Sequence, residues 1–101
     1  MNQEIIILSD KEVEEKLKNL PEWNLKNNKI AKQFEFSSFT KGIEFINSLV
    51  SFFEENDHHP DMQISYKKIL FELTSYDVGT KLTNKDFLLA QEIEKRFKEY
   101  K

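Results

Sequence analysis

The sequence predicts an α+β fold, a four-stranded antiparallel sheet with three helices packed on one face, in the order α-β-β-α-β-β-α. Three observations carry this reading. Apolar residues recur at helical spacing in three segments, alternate singly in four shorter ones, and the alternating segments form two pairs joined by turn-sized gaps. One-sided alternation is what a sheet shows when helices cover one face and water the other. A length of 101 residues allows a single domain over 1–101 and no second core. Nine phenylalanines within a hydrophobic share of 39% supply the apolar mass that such a core needs, which excludes a disordered chain.

Ser9-Asp10-Lys11-Glu12 has the spacing of a capping box, with Leu8 and Val13 placed as the hydrophobic staple. A helix is expected from there to about Asn19, ended by Leu20-Pro21. Trp23-Asn24-Leu25 then alternates as a short strand. Asn27-Asn28 supplies a turn that tolerates positive φ, and Ile30, Lys32, Phe34 and Phe36 point one way from a second strand. From Phe39 the period changes: Phe39, Ile43, Ile46, Leu49, Val50 and Phe53 share a helical stripe that Phe45 and Phe52 widen. Ser37 or Ser38 is the candidate cap, and Glu54-Glu55-Asn56-Asp57 the exit. Met62, Ile64 and Tyr66, then Ile69, Phe71 and Leu73, alternate on either side of a turn at Lys67-Lys68. Thr83-Asn84-Lys85-Asp86 is a second capping box, stapled by Leu82 and Phe87, and the last helix buries Phe87, Ala90, Ile93, Phe97 and Tyr100. The outer sheet edges and the wide apolar face of the central helix make an oligomer an expectation.

Fifteen lysines and arginines against eighteen aspartates and glutamates leave a formal charge of −3, which argues against a broad basic surface for nucleic acid. No cysteine is present, so disulfides, a thiolate nucleophile and cysteine-ligated zinc are excluded, and a reducing compartment such as the cytoplasm suits the chain. The apolar run Ile5 to Leu8 is too short for a signal-peptide core or a membrane span.

The two histidines of the chain are adjacent, His58-His59, between Asp57 and Pro60, where the central helix hands over to a strand. Three readings of the pair stand open. One is an exposed polar junction without consequence. Another is a metal site, which needs further ligands that only carboxylates are available to supply. The third is proton transfer on a small molecule, supported by Asp57 and Asp61 on either side, since imidazole both gives and takes protons near neutrality and a nearby carboxylate fixes its tautomer. No glycine-rich phosphate loop is present, and the Phe34, Phe36, Phe39, Phe45, Phe52 and Phe53 series reads as core.

At these residues the sequence resembles the pterin-4a-carbinolamine dehydratases. Glu54 stands four residues before His58, His59 and Pro60 follow, Tyr66 comes after a five-residue gap, and Asp86 closes the pattern at the start of the last helix. Leu73-Thr74-Ser75, Leu82-Thr83 and Leu89-Ala90 echo the family's flanking segments, as do Trp23, Lys32-Gln33-Phe34 and Phe36-Ser37-Ser38-Phe39 upstream. The resemblance spans roughly residues 8 to 98.

It implies the fold read above, a homodimer or homotetramer, and loss of water from 4a-hydroxytetrahydropterin without metal or organic cofactor. By the same resemblance His58 is a proton-transfer residue and His59 a second catalytic or pterin-positioning one. Asp57 and the Thr74-Ser75-Tyr76-Asp77 segment would line the pterin pocket, with Glu54 and Asp86 in support; for Asp86 the helix cap is already a sufficient structural reason. Tyr76 stands where the family carries a third histidine or a tryptophan, Met62 replaces a frequent aromatic, and the 77–82 segment is one residue longer than in many relatives. A phenol donates a hydrogen bond but is a poor base near neutrality, so dehydration is expected to rest on His58 and His59. The competing expectations are a relative that binds pterin without turnover and one that serves as a dimerization cofactor for a transcription factor. Neither nucleic acid nor membrane is an expected partner.

Overall fold

In the computed structural model, which describes residues 4–101, the chain runs through α1 (Asp10–Leu17), β1 (Asn24–Lys26), β2 (Lys29–Glu35), α2 (Phe39–Glu55), β3 (Asp61–Ser65), β4 (Lys68–Leu73) and α3 (Asn84–Phe97). The strands form one antiparallel sheet in the order β1-β2-β4-β3, so the two hairpins meet along β2 and β4. Local chemistry explains most boundaries. Ser9 accepts the Glu12 backbone N–H while Glu12 accepts that of Ser9, and Thr83 and Asp86 form the same reciprocal box at α3. Ser38 caps α2 by accepting from the Lys41 N–H. Between β1 and β2, Asn27 and Asn28 both take positive φ, 51° and 63°, as a two-residue hairpin turn requires.

The second hairpin corrects the sequence reading. Its turn is Tyr66-Lys67 rather than Lys67-Lys68, and Lys68 already pairs with Ser65. Tyr66 takes a φ of 53° and is exposed, so it leaves the strand to make the turn. Trp23 likewise precedes its strand and Tyr100 lies beyond α3, although both pack on the core.

The core sits between the helices and one sheet face. Ile30, Phe34, Ile69, Phe71 and Leu73 from the sheet meet Phe45 and Leu49 of α2 and Phe87, Leu89 and Ile93 of α3, all fully buried. Phe34 is its centre, with the rings of Trp23, Phe45, Phe71 and Phe97 at centroid distances of 4.8 to 6.1 Å. Each such side chain contributes about 1.5–3 kcal/mol by leaving water. Gly42 lets α2 approach the sheet closely: a Cβ there would stand 3.2 Å from Ile69 Cδ1.

Two contacts outside the sheet fix the start of α3. An isolated bridge joins Ile7 to Thr83, and another joins Ser75 to Lys81 across a 3₁₀ turn at Tyr76–Val78. Together they hold Thr83 and Asp86 against the end of β4.

Candidate active site at the helix-to-strand junction

The site begins with how α2 ends. The Asp57 N–H donates to the Glu54 carbonyl and the His58 N–H to that of Phe53, the paired bonds of a Schellman motif. The residue after the cap must then be left-handed, and Asp57 holds that place with a φ of 48°. Glycine is the usual occupant; an aspartate tolerates the conformation better than most residues but at a cost. Lys85, itself buried, donates its ammonium to the Asn56 carbonyl at 2.9 Å, satisfying the helix end and tying α2 to α3. The reversal of the chain at Asp57 delivers both histidines to one cleft.

That cleft, about 260 Å³, is lined by Asp57, His58, His59, Thr74, Tyr76 and Asp77. Its size lies just under the ~300–1,000 Å³ common for small-molecule sites. A larger groove of about 640 Å³ runs between the start of α1, the Asn27-Asn28 turn and Lys81-Leu82. It holds no imidazole, so we place the chemistry in the smaller one.

Each histidine is tethered to a carboxylate, in contrasting settings. His58 Nε2 lies 2.6 Å from Asp86 Oδ1, with the imidazole 12% exposed and the carboxylate fully buried. Asp86 Oδ2 accepts from the Thr83 backbone N–H at 2.9 Å and from the Ser75 hydroxyl at 3.0 Å. The carboxylate that caps α3 is thus the one that orients His58, and neither role excludes the other. With Nε2 committed to Asp86, Nδ1 is the nitrogen left to exchange protons. His59 Nε2 lies 2.7 Å from Glu54 Oε1 in a pair that is 54% and 67% exposed, free to rearrange. Among the described residues no group of three histidine, aspartate or glutamate side chains is arranged to hold a metal ion.

The remaining candidates sort by position. Thr74 lines the cleft, with its hydroxyl donated to the Asn28 carbonyl at 2.7 Å. Tyr76 and Asp77 form the far wall. Ser75 stands behind the wall: it is buried and engages Asp86 and Thr83, so it reaches the cleft through His58's partner. Sequence reasoning missed Lys85, whose position in a capping box hid its reach to α2. It also missed Lys29 as a site residue, since Lys29 belongs to a different hairpin and approaches Tyr76 only in three dimensions.

Comparison with known proteins supplies the family and the fold. The family profile described as pterin 4 alpha carbinolamine dehydratase matches residues 7–96. A protein of Picosynechococcus sp. is 47% identical over 82% of this chain and 89% of its own, and one of Sulfolobus acidocaldarius is 35% identical over 87% and 96%; both are named "Putative pterin-4-alpha-carbinolamine dehydratase". Among solved structures, a transcriptional coactivator/pterin dehydratase from Brucella melitensis superposes with a TM-score of 0.84 at 22% identity, covering 90% of this chain and 98% of that one. A pterin dehydratase-like RuBisCO assembly factor of the alpha-carboxysome superposes at 0.60 and 18% identity, over 73% and 87%. These two show the shared fold. On the extent of the profile match and the identity of its relatives, the chain belongs to the pterin-4-alpha-carbinolamine dehydratase family.

Proposed function

We propose that this protein is a 4a-hydroxytetrahydropterin dehydratase, a hydro-lyase that releases water from the carbinolamine and leaves quinonoid dihydropterin, as tetrahydrobiopterin recycling requires. One observation carries the reading: two imidazoles, each tethered by a carboxylate, line one polar cleft. Breaking the C4a–O bond needs a proton delivered to the leaving hydroxyl, and the ring nitrogen that becomes the imine must lose one. One proton enters and one leaves, so the step is redox-neutral and its catalysts are groups that titrate near ambient pH. His58, fixed by Asp86, is the proton-transfer residue; His59 is the second, or positions the pterin. The carboxylates of Asp57 and Asp77 accept from the N–H groups of the 2-amino-4-oxo ring.

The test is the rate of quinonoid product formation from synthetic carbinolamine, measured against the spontaneous reaction. Acceleration by the wild type and its loss in His58→Ala and His59→Ala is the expected result. Both variants matching wild type would refute the roles.

We place the enzyme in the cytoplasm, on the absence of cysteine and because no helix among the described residues is long and apolar enough to cross a membrane. It acts as a homodimer or homotetramer in this reading. The support is an apolar stripe on α2, where Phe39 and Val50 are 49% and 46% exposed with Ile43 and Ile46 between them. Val50→Lys is then expected to lower the sedimentation coefficient. The same stripe favours a second reading, a binding protein that docks a partner through α2. Absence of both pterin binding and acceleration would decide for it, whereas pterin binding without acceleration would mark a relative that holds pterin without turnover.

A further inference from the structure

Tyr76 is 53% exposed, yet its hydroxyl is committed twice. It donates to Asp61 Oδ2 at 2.5 Å and accepts from Lys29 Nζ at 3.2 Å. The two partners come from different strands on either side of β4. Ile30 pairs with Leu73 and faces the core, so its neighbour Lys29 projects from the open sheet face. Asp61 pairs with Glu72, which lies between the buried Phe71 and Leu73, so Asp61 projects from the same open face. The 3₁₀ turn after β4 brings Tyr76 between them, and the Lys29 ammonium also stands 5.4 Å from the centre of the phenol ring. A phenol has one proton, and here it is given to Asp61. No O–H remains for a substrate, while Tyr76 lines the cleft with both histidines.

Resting on the dehydratase reading, we propose that Tyr76 is a positioning wall for the planar pterin, locked by Lys29 and Asp61 as two further positioning residues, and takes no part in proton transfer. The clamp fits the neighbouring charges. The Tyr76 hydroxyl, then the carboxylates of Glu72 and Asp61, hold the Lys29 ammonium above its ordinary range. At a position where a histidine would bring a third titrating group, this chain supplies an oriented ring.

The experiment compares wild type with Tyr76→Phe, Lys29→Met, Asp61→Ala and Tyr76→Ala. It measures carbinolamine turnover across pH and, independently, the Kd of 7,8-dihydropterin, which has no 4a-hydroxyl to lose. All three positions are at the surface or the cleft rim, and circular dichroism verifies the fold. Releasing the clamp leaves a ring that must be ordered on binding, so Tyr76→Phe, Lys29→Met and Asp61→Ala raise KM and Kd by about 2- to 12-fold, with kcat and the pH profile unchanged. Tyr76→Phe combined with Asp61→Ala adds little to either alone, because both open one clamp. Tyr76→Ala, which loses the ring, raises Kd by about 5- to 100-fold.

Loss of kcat and of one limb of the pH profile in Tyr76→Phe, at unchanged Kd, would overturn the proposal by making the phenol a proton donor. Wild-type KM and Kd in both Lys29→Met and Asp61→Ala would overturn it too. Dihydropterin binding without turnover would defeat the dehydratase reading alone, leaving the clamp to be judged on Kd. Failure of the wild type to bind dihydropterin would overturn both.

Discussion

Replacing Asp86 by asparagine separates the two roles of one buried carboxylate. The side chain keeps its volume but offers one acceptor where the carboxylate serves three groups, at 2.6 Å to His58, 2.9 Å to the Thr83 N–H and 3.0 Å to the Ser75 hydroxyl. The Thr83 N–H is an obligatory donor, so the amide oxygen is drawn to the cap. The amide NH₂ then faces His58 Nε2 and can only donate to it. His58 must carry its proton on Nδ1, the tautomer opposite to that which Asp86 supports, and the imidazolium loses its anionic partner. The structural loss is one charge-assisted bond, ~1.5–3 kcal/mol of folding stability. The catalytic loss is the proton-transfer contribution of a general acid–base group, ~10²–10⁴ in kcat, or ~3–5 kcal/mol of barrier. The assay pairs turnover with urea denaturation and with ¹⁵N spectra of the imidazole, which report the tautomer. Thr83→Ala is the control: it removes the cap hydroxyl at ~1 kcal/mol but leaves the carboxylate on His58, so it stays active. If folded Asp86→Asn turned over within about threefold of wild type, the buried pair would have no part in the reaction.

Other consequences follow from the same geometry. His58→Ala is expected to cost more turnover than His59→Ala, because the His58 pair is almost enclosed and the His59 pair is more than half exposed; Glu54→Ala changes stability by no more than ~1 kcal/mol in denaturation curves. Asp57→Gly relieves a left-handed aspartate at the end of α2 and raises stability by ~1 kcal/mol while weakening pterin binding, a split that denaturation and a binding titration read together. Ser9→Ala destabilises the fold by ~1 kcal/mol through loss of the α1 cap. The Ser9 backbone N–H, then its hydroxyl, hold Glu12 below its ordinary value of 4.5. A carboxyl lowered on folding stabilises above its unfolded value and loses that contribution as pH falls through the folded one. Glu12→Gln therefore flattens the acid limb of the stability curve, and an unchanged limb would contradict the capping box.

What the sequence made legible is what neighbouring residues decide among themselves. Both capping boxes, the Asn27-Asn28 turn and the α2 stripe depend on contacts within a few positions, and the structure has them where the spacing puts them. Tyr66 misled because an aromatic in an alternating run fits a strand, whereas the register left it at the turn. The Ile7–Thr83 bridge and the Lys29–Tyr76 contact join distant residues, and no local pattern encodes them. His58 and Asp86 are separated by 28 positions. The cap explained Asp86 completely on local grounds, so composition gave no reason to look for a second partner; only the spaced resemblance joined them.

That shared carboxylate ties function to folding. The Thr83 backbone N–H at the α3 cap, the Ser75 hydroxyl and the His58 imidazole draw on the two oxygens of one buried side chain. A buried carboxylate left short of partners carries a large desolvation cost, so each partner stabilises the placement of the others. His58 is therefore positioned by the same bonds that end a loop and start a helix, and it cannot drift without loosening the fold. His59 has no such tether: the exposed Glu54 pair is worth ~0–1 kcal/mol and yields readily to a ligand. The proposed dehydration, which must protonate one atom and deprotonate another, would be served by this contrast between one imidazole held in place and one in contact with solvent, able to exchange a proton with it after each turnover.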